Sequence, residues 1–152
     1  LIVDMPPGTS DVPLTVFQSI PLEGIVMVAT PQDLVSLIVA KATRMAEMMN
    51  VSVLGLIENQ AWMTCPHCSE RIYPYGEGKV EEAAEKLQLP LLDSMPIEPA
   101  VAELMDQGRI EFAPQIPLTG TIRVMIEQLE ARAVAGAAES AAATESAAAT
   151  DS

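Results

Sequence analysis

Apolar residues along this chain gather into runs of strand length, separated by longer stretches in which they recur at helical spacing. That alternation is the mark of βα units wound around a parallel sheet. The first run, Leu1-Ile2-Val3-Asp4, reads as a buried strand already in progress that stops at Pro6-Pro7-Gly8. Asp11 to Ser19 fits a short helix, and Gly24 to Thr30 a continuous buried strand. Pro31 is placed to open a helix running to about Met49, with Thr30 as its cap. Val51 to Ile57 is a second buried strand, ending in Glu58-Asn59. Glu81 to Leu87 is helical, Leu89 to Ser94 a short strand, and Glu98 to Gln107 a helix stopped by Gly108. Thr121 to Ala135 is the last helix.

Two stretches depart from the pattern. Ala61 to Lys79 holds Pro, Gly, both cysteines and three of the five aromatic residues, which predicts an extended functional loop over 61–79. From Gly136 the sequence is Ala, Glu, Ser, Thr and Asp with a near repeat, Glu-Ser-Ala-Ala-Ala-Thr. Without apolar periodicity or large side chains, 136–152 is expected to be a disordered tail. The expected organisation is one α/β domain over 1–135, incomplete at its N-terminal side, followed by that tail.

At 152 residues and 49% apolar composition, the chain is one domain long and can bury a core of Val, Ile, Leu, Ala and Met. A net charge of -13, with eight basic residues scattered along the chain, argues against a nucleic-acid groove or an anionic membrane surface as partner. No apolar run reaches the roughly 18 to 20 residues of a membrane span. The expected setting is cytoplasmic, where a reducing environment suits two cysteines as ligands or a redox pair better than as a structural disulfide.

Those cysteines form Cys65-Pro66-His67-Cys68. Two thiolates at this spacing can chelate one soft metal through a tight turn that Pro66 stiffens. The same letters occur in thiol oxidoreductases, where the motif opens a helix; Ser69-Glu70-Arg71-Ile72-Tyr73-Pro74 is a poor helix start, so ligand chemistry is favoured. A metal or iron–sulfur centre wants four protein ligands, and the chain holds no third cysteine. Two copies would supply four thiolates, which suggests a symmetric dimer around a shared centre. His67 reads as an exposed loop residue, and Trp62 and Met63 as side chains packing the loop onto the domain. Asp4, at the end of a parallel strand, stands where Mg²⁺ and phosphates are held, or is simply a polar strand end entering a proline turn. Asn59 offers an amide that both donates and accepts, suited to an adenine edge, or is an ordinary strand terminus.

In chain order, Leu1-Ile2-Val3-Asp4-Met5-Pro6-Pro7-Gly8-Thr9, Thr30-Pro31-Gln32-Asp33, Val53-Leu54-Gly55-Leu56-Ile57-Glu58-Asn59, Cys65-Pro66-His67-Cys68 and Pro96-Ile97-Glu98-Pro99 resemble the Mrp (ApbC-type) ATPases over about residues 1 to 127. These are iron–sulfur cluster carriers of the MinD/ParA-like branch of P-loop NTPases. The resemblance implies a MinD-like parallel-sheet α/β fold, ATP with Mg²⁺, and a homodimer bridging a [4Fe–4S] cluster that is passed to apo iron–sulfur proteins. It implies Asp4 at the Mg²⁺ site, Gly8 in the γ-phosphate switch with Asp11 in the same segment, Asn59 and Pro96 in the adenine pocket, and Cys65 and Cys68 as cluster ligands. Ser10 stands where the family has Gly, and Gln60 where it has Met. The family's phosphate loop, GKGGVGKS, lies upstream of its acidic strand and is not among these residues. The chain alone is therefore expected neither to bind ATP tightly nor to hydrolyse it, and to leave sheet edges open. The alternative is a non-enzymatic dimer module that holds structural Zn²⁺ on the same cysteine pair.

Overall fold

In the computed structural model, described for residues 1–6, 11–32, 34–113, 118, 120–127 and 129–131, the chain divides into two units, Leu1–Leu118 and Thr119–Ser152. The first unit is built on a three-stranded parallel sheet. Its strands are β1 (Ile25–Ala29), β2 (Val53–Glu58) and β5 (Leu91–Ser94), in the order β1-β2-β5. Helix α2 (Val35–Met48) connects β1 to β2, and α3 (Lys79–Lys86) precedes β5. The remaining elements are α1 (Asp11–Ser19), α4 (Pro99–Asp106), a 3-10 turn over Ile110–Phe112, and a two-stranded antiparallel hairpin of β3 (Met63–Thr64) and β4 (Arg71–Ile72). In the second unit, 120–127 and 129–131 are helical, as expected for that stretch; 136–152 lies outside the described residues.

The core sits on one face of the sheet. Val35 and Val39 of α2, Leu56 of β2, and Val80, Ala83 and Ala84 of α3 form the buried cluster, with Met27, Ala29, Leu87, Leu89 and Leu91 packed against it. Alternation along the strands selects these residues: Met27 pairs with Leu56 and Ala29 with Glu58 in the parallel register, so all four share the helix-covered face. Gly55 allows β2 and β5 to approach. A Cβ there would lie 2.6 Å from both the Leu92 Cγ and the Pro90 carbonyl oxygen.

Three expectations are corrected. Residues 1–6 carry no strand, and Leu1 and Ile2 are exposed. A strand exists through its ladder, and no ladder of the described sheets includes this segment. Strand β1 is not fully buried: Val28 is 63% exposed, because β1 is an edge of the described sheet. Helix α2 begins at Val35, and Thr30 is not its cap. Instead the Thr30 carbonyl accepts the Gln32 N–H at 2.8 Å in a turn around the fully buried Pro31.

Helices α2, α3 and α4 each end through a left-handed residue, namely Asn50, Gln88 and Gly108. The next residue's N–H reaches back to the helix, with Val51 on the Ala46 carbonyl, Leu89 on Ala84 and Arg109 on Leu104. These sharp stops send the chain directly into β2 and β5 after α2 and α3.

Candidate functional site

The expected 61–79 loop contains the hairpin, and the cysteines lie in its connection. Met63 pairs with Ile72 and Thr64 with Arg71. Beyond that pair, the Cys65 N–H donates to the Glu70 carbonyl at 2.8 Å, closing a six-residue turn over 65–70. Inside it the Ser69 N–H donates to the Cys65 carbonyl at 3.0 Å, and Ser69 takes a left-handed φ of 60°. Pro66 and His67 are exposed across the top, and the motif leads into β4, not into the helix that follows a thioredoxin-like redox motif.

The two sulfurs are free thiols in different surroundings. Cys65 is half-buried and Cys68 exposed. The Cys65 thiol is held below the ordinary cysteine value chiefly by the backbone N–H of Cys68, then by the N–H of His67, then by the Cys68 side chain, against an opposing effect of burial. Inward-pointing N–H groups are also what stabilises a metal-bound thiolate, so the donor set fits a soft, thiophilic centre. The Cys68 sulfur lies 3.6 Å from Glu70 Oε2. Among the described residues no group of three or more His, Cys, Asp and Glu side chains gathers into a metal cage. The turn thus presents two free cysteine sulfurs, one half-buried and one exposed.

The base of the hairpin is tied to the carboxyl edge of the sheet. The Met95 N–H donates to the Glu58 carbonyl (2.7 Å), the Ala61 N–H to Met95 (2.8 Å) and the Ile97 N–H to Trp62 (2.6 Å). This zipper runs the exits of β2 and β5 side by side and brings Asn59 and Pro96 to one edge, where open parallel sheets take ligands. Asn59 donates its N–H to the Ala29 carbonyl at 2.8 Å, while its Oδ1 accepts the Gln60 N–H at 2.9 Å. The Arg71 guanidinium lies 4.4 Å from the Trp62 ring centroid, pinning β4 back on the zipper.

The remaining candidates are less well served. Asp4 is exposed in the segment without strand, and Asp11 is exposed as the first residue of α1. Gly8 lies outside the described residues. Glu58, the last residue of β2, is 8% exposed, and Ser94 Oγ donates to its Oε2 at 2.7 Å. Its place two residues after Leu56 would have assigned it to the covered face by alternation alone. Glu70 and Arg71 carried no sequence signal, since the hairpin that positions them is only two residues deep on each side.

A family model described as ParA: NUBPL iron-transfer P-loop NTPase matches residues 1–132. The chain is 43% identical over 123 residues to an iron–sulfur cluster carrier protein of Clostridium perfringens, covering 80% of this chain and 43% of that one. It is 39% identical over 109 residues to the iron–sulfur cluster transfer protein NUBPL of Mus musculus, covering 72% of this chain and 34% of that one. Among solved structures, a nucleotide-binding protein from Archaeoglobus fulgidus in complex with ADP superposes with a TM-score of 0.63 at 44% identity, covering 72% of this chain and 46% of that one. The chain thus spans less than half the length of each of these proteins.

Proposed function

The chain belongs to the ParA/NUBPL iron-transfer P-loop NTPases, and on that premise we propose that it carries an iron–sulfur cluster on Cys65 and Cys68 and passes it to apoproteins. The observation that supports this reading is the turn over 65–70. It brings two free thiols together, aims backbone N–H groups at one of them, and leaves the pair open to solvent. Two thiolates are half of a four-ligand shell, so a second copy facing the first completes the shell around a bridging [4Fe–4S] cluster. The cluster is cargo, and an open, partly exposed half-site suits cargo better than a closed structural metal.

ATP with Mg²⁺ is the nucleotide of the proposed cycle. Asn59 and Pro96 stand at the sheet edge as the adenine side, while Asp4, Gly8 and Asp11 are the proposed Mg²⁺ and phosphate side. The zipper from β2 and β5 to the hairpin gives the nucleotide edge a direct mechanical connection to the cysteines. The proposed setting is cytoplasmic; no helix among the described residues is long and apolar enough to cross a membrane.

Anaerobic reconstitution with iron and sulfide, followed by visible absorption and metal analysis, tests the reading. The expected result is a brown protein with about four irons per two chains, dimeric by light scattering, and loss of colour and metal-dependent dimer together in the Cys65→Ser/Cys68→Ser double variant. Stoichiometric zinc without colour, or a cluster retained by the double variant, would overturn it.

A further inference from the structure

The turn holds its two cysteines unequally. Cys65 is tied into the turn through its backbone on both sides: its N–H goes to the Glu70 carbonyl, and its carbonyl receives the Ser69 N–H. It is also the half-buried member of the pair. Cys68 stands exposed at the tip, and its sulfur has an alternative partner in the Glu70 carboxylate 3.6 Å away.

We propose that the two ligands leave the cluster in a fixed order: Cys68 is the exit ligand, exchanged first for an acceptor thiol, and Cys65 is the anchor that is exchanged last. The inference rests on the cluster-carrier reading above. An incoming group must reach iron from solvent, and the exposed side of the half-site is the Cys68 side. Exchange there requires only a side-chain rotation, whereas Cys65 is half-buried and its backbone is bonded at both N–H and carbonyl, so an incoming group reaches it last.

The step is a ligand substitution without redox change. The acceptor's thiol sulfur forms a bond to iron as the Cys68 sulfur–iron bond breaks, and the acceptor's proton ends on the Cys68 sulfur. The released S–H then turns to Glu70 Oε2, which keeps it from rebinding. Glu70 acts here as a positioning residue.

The test uses the whole chain, reconstituted anaerobically as wild type, Cys65→Ser and Cys68→Ser, and challenged with dithiothreitol as acceptor while the cluster absorption is followed. Cys68→Ser is expected to load less cluster than the wild type but more than Cys65→Ser, and to surrender it several-fold faster than the wild type. Cys65→Ser is expected to load several-fold less cluster. Iodoacetamide labelling at half-release in the wild type, read by peptide mass spectrometry, should show a Cys68-to-Cys65 ratio above that of the metal-free chain. Equal loss in both variants, the reverse order, or a labelling ratio unchanged from the metal-free chain would overturn the proposal. A wild type that loads no cluster would instead remove the function reading and this inference with it.

Discussion

The sheet with its two helices and the cysteine hairpin are held by different forces, and the contrast separates folding from chemistry in this protein. In the sheet region, Leu56, Val80 and Ala83 are wholly buried, and each contact is one of many in a common apolar cluster. The hairpin contributes no residue to that cluster. It is held by two strand pairs, the turn bonds at Cys65, the backbone bonds of Ala61 and Trp62 at its base and the stack of Arg71 on Trp62. Burial is additive over area and hard to lose piecemeal, whereas a few exposed hydrogen bonds define a shape at little net stability. A turn of the second kind can present reactive sulfurs without exposing the core when a ligand comes or goes.

The strongest way to break this contrast is to open a cavity in the sheet region. Leu56→Ala should cost about 2–5 kcal/mol in urea unfolding, because Leu56 is wholly buried between the sheet and both helices. A cost below that of an ordinary surface change would mean that the cluster is not the core. Gly55→Ala tests the strand approach. Its Cβ would meet the Leu92 side chain and the Pro90 carbonyl, and the expected loss is about 1–3 kcal/mol, with weakened protection of the Leu56 amide in hydrogen exchange. At the small end, Cys65→Ser/Cys68→Ser in the metal-free chain should leave unfolding within about 0.5 kcal/mol of wild type. A larger effect would show that the hairpin is part of the folding unit after all.

The two regions also differed in how far they could be read in advance. Strands β1, β2 and β5 and the stop at Gly108 follow from apolar runs and glycine chemistry that act over a few residues, and they were expected within two residues of where they lie. The helix ends before Asn50 and Gln88 were expected at about Met49 and Leu87, close to where they lie, but their left-handed geometry was not, since neither residue requires it as Gly108 does. The start of α2 was misplaced because Pro31 serves the core instead of the helix opening, a choice made by packing. The segment Leu1 to Asp4 has the composition of a strand, but composition cannot supply a neighbour to pair with.

By itself the sequence determined the α/β class, the family, and the candidacy of Cys65 and Cys68, because alternation, order of motifs and ligand spacing are written in consecutive residues. Only the tertiary structure decided that the motif sits in a hairpin turn, that Cys65 is half-buried while Cys68 is exposed, that Glu58 is buried against Ser94, and that the exits of β2 and β5 are zipped to the hairpin's base. Each of these joins groups through backbone geometry or through residues far apart in the chain. Such relations come into being when the chain closes on itself, and no window of sequence contains them.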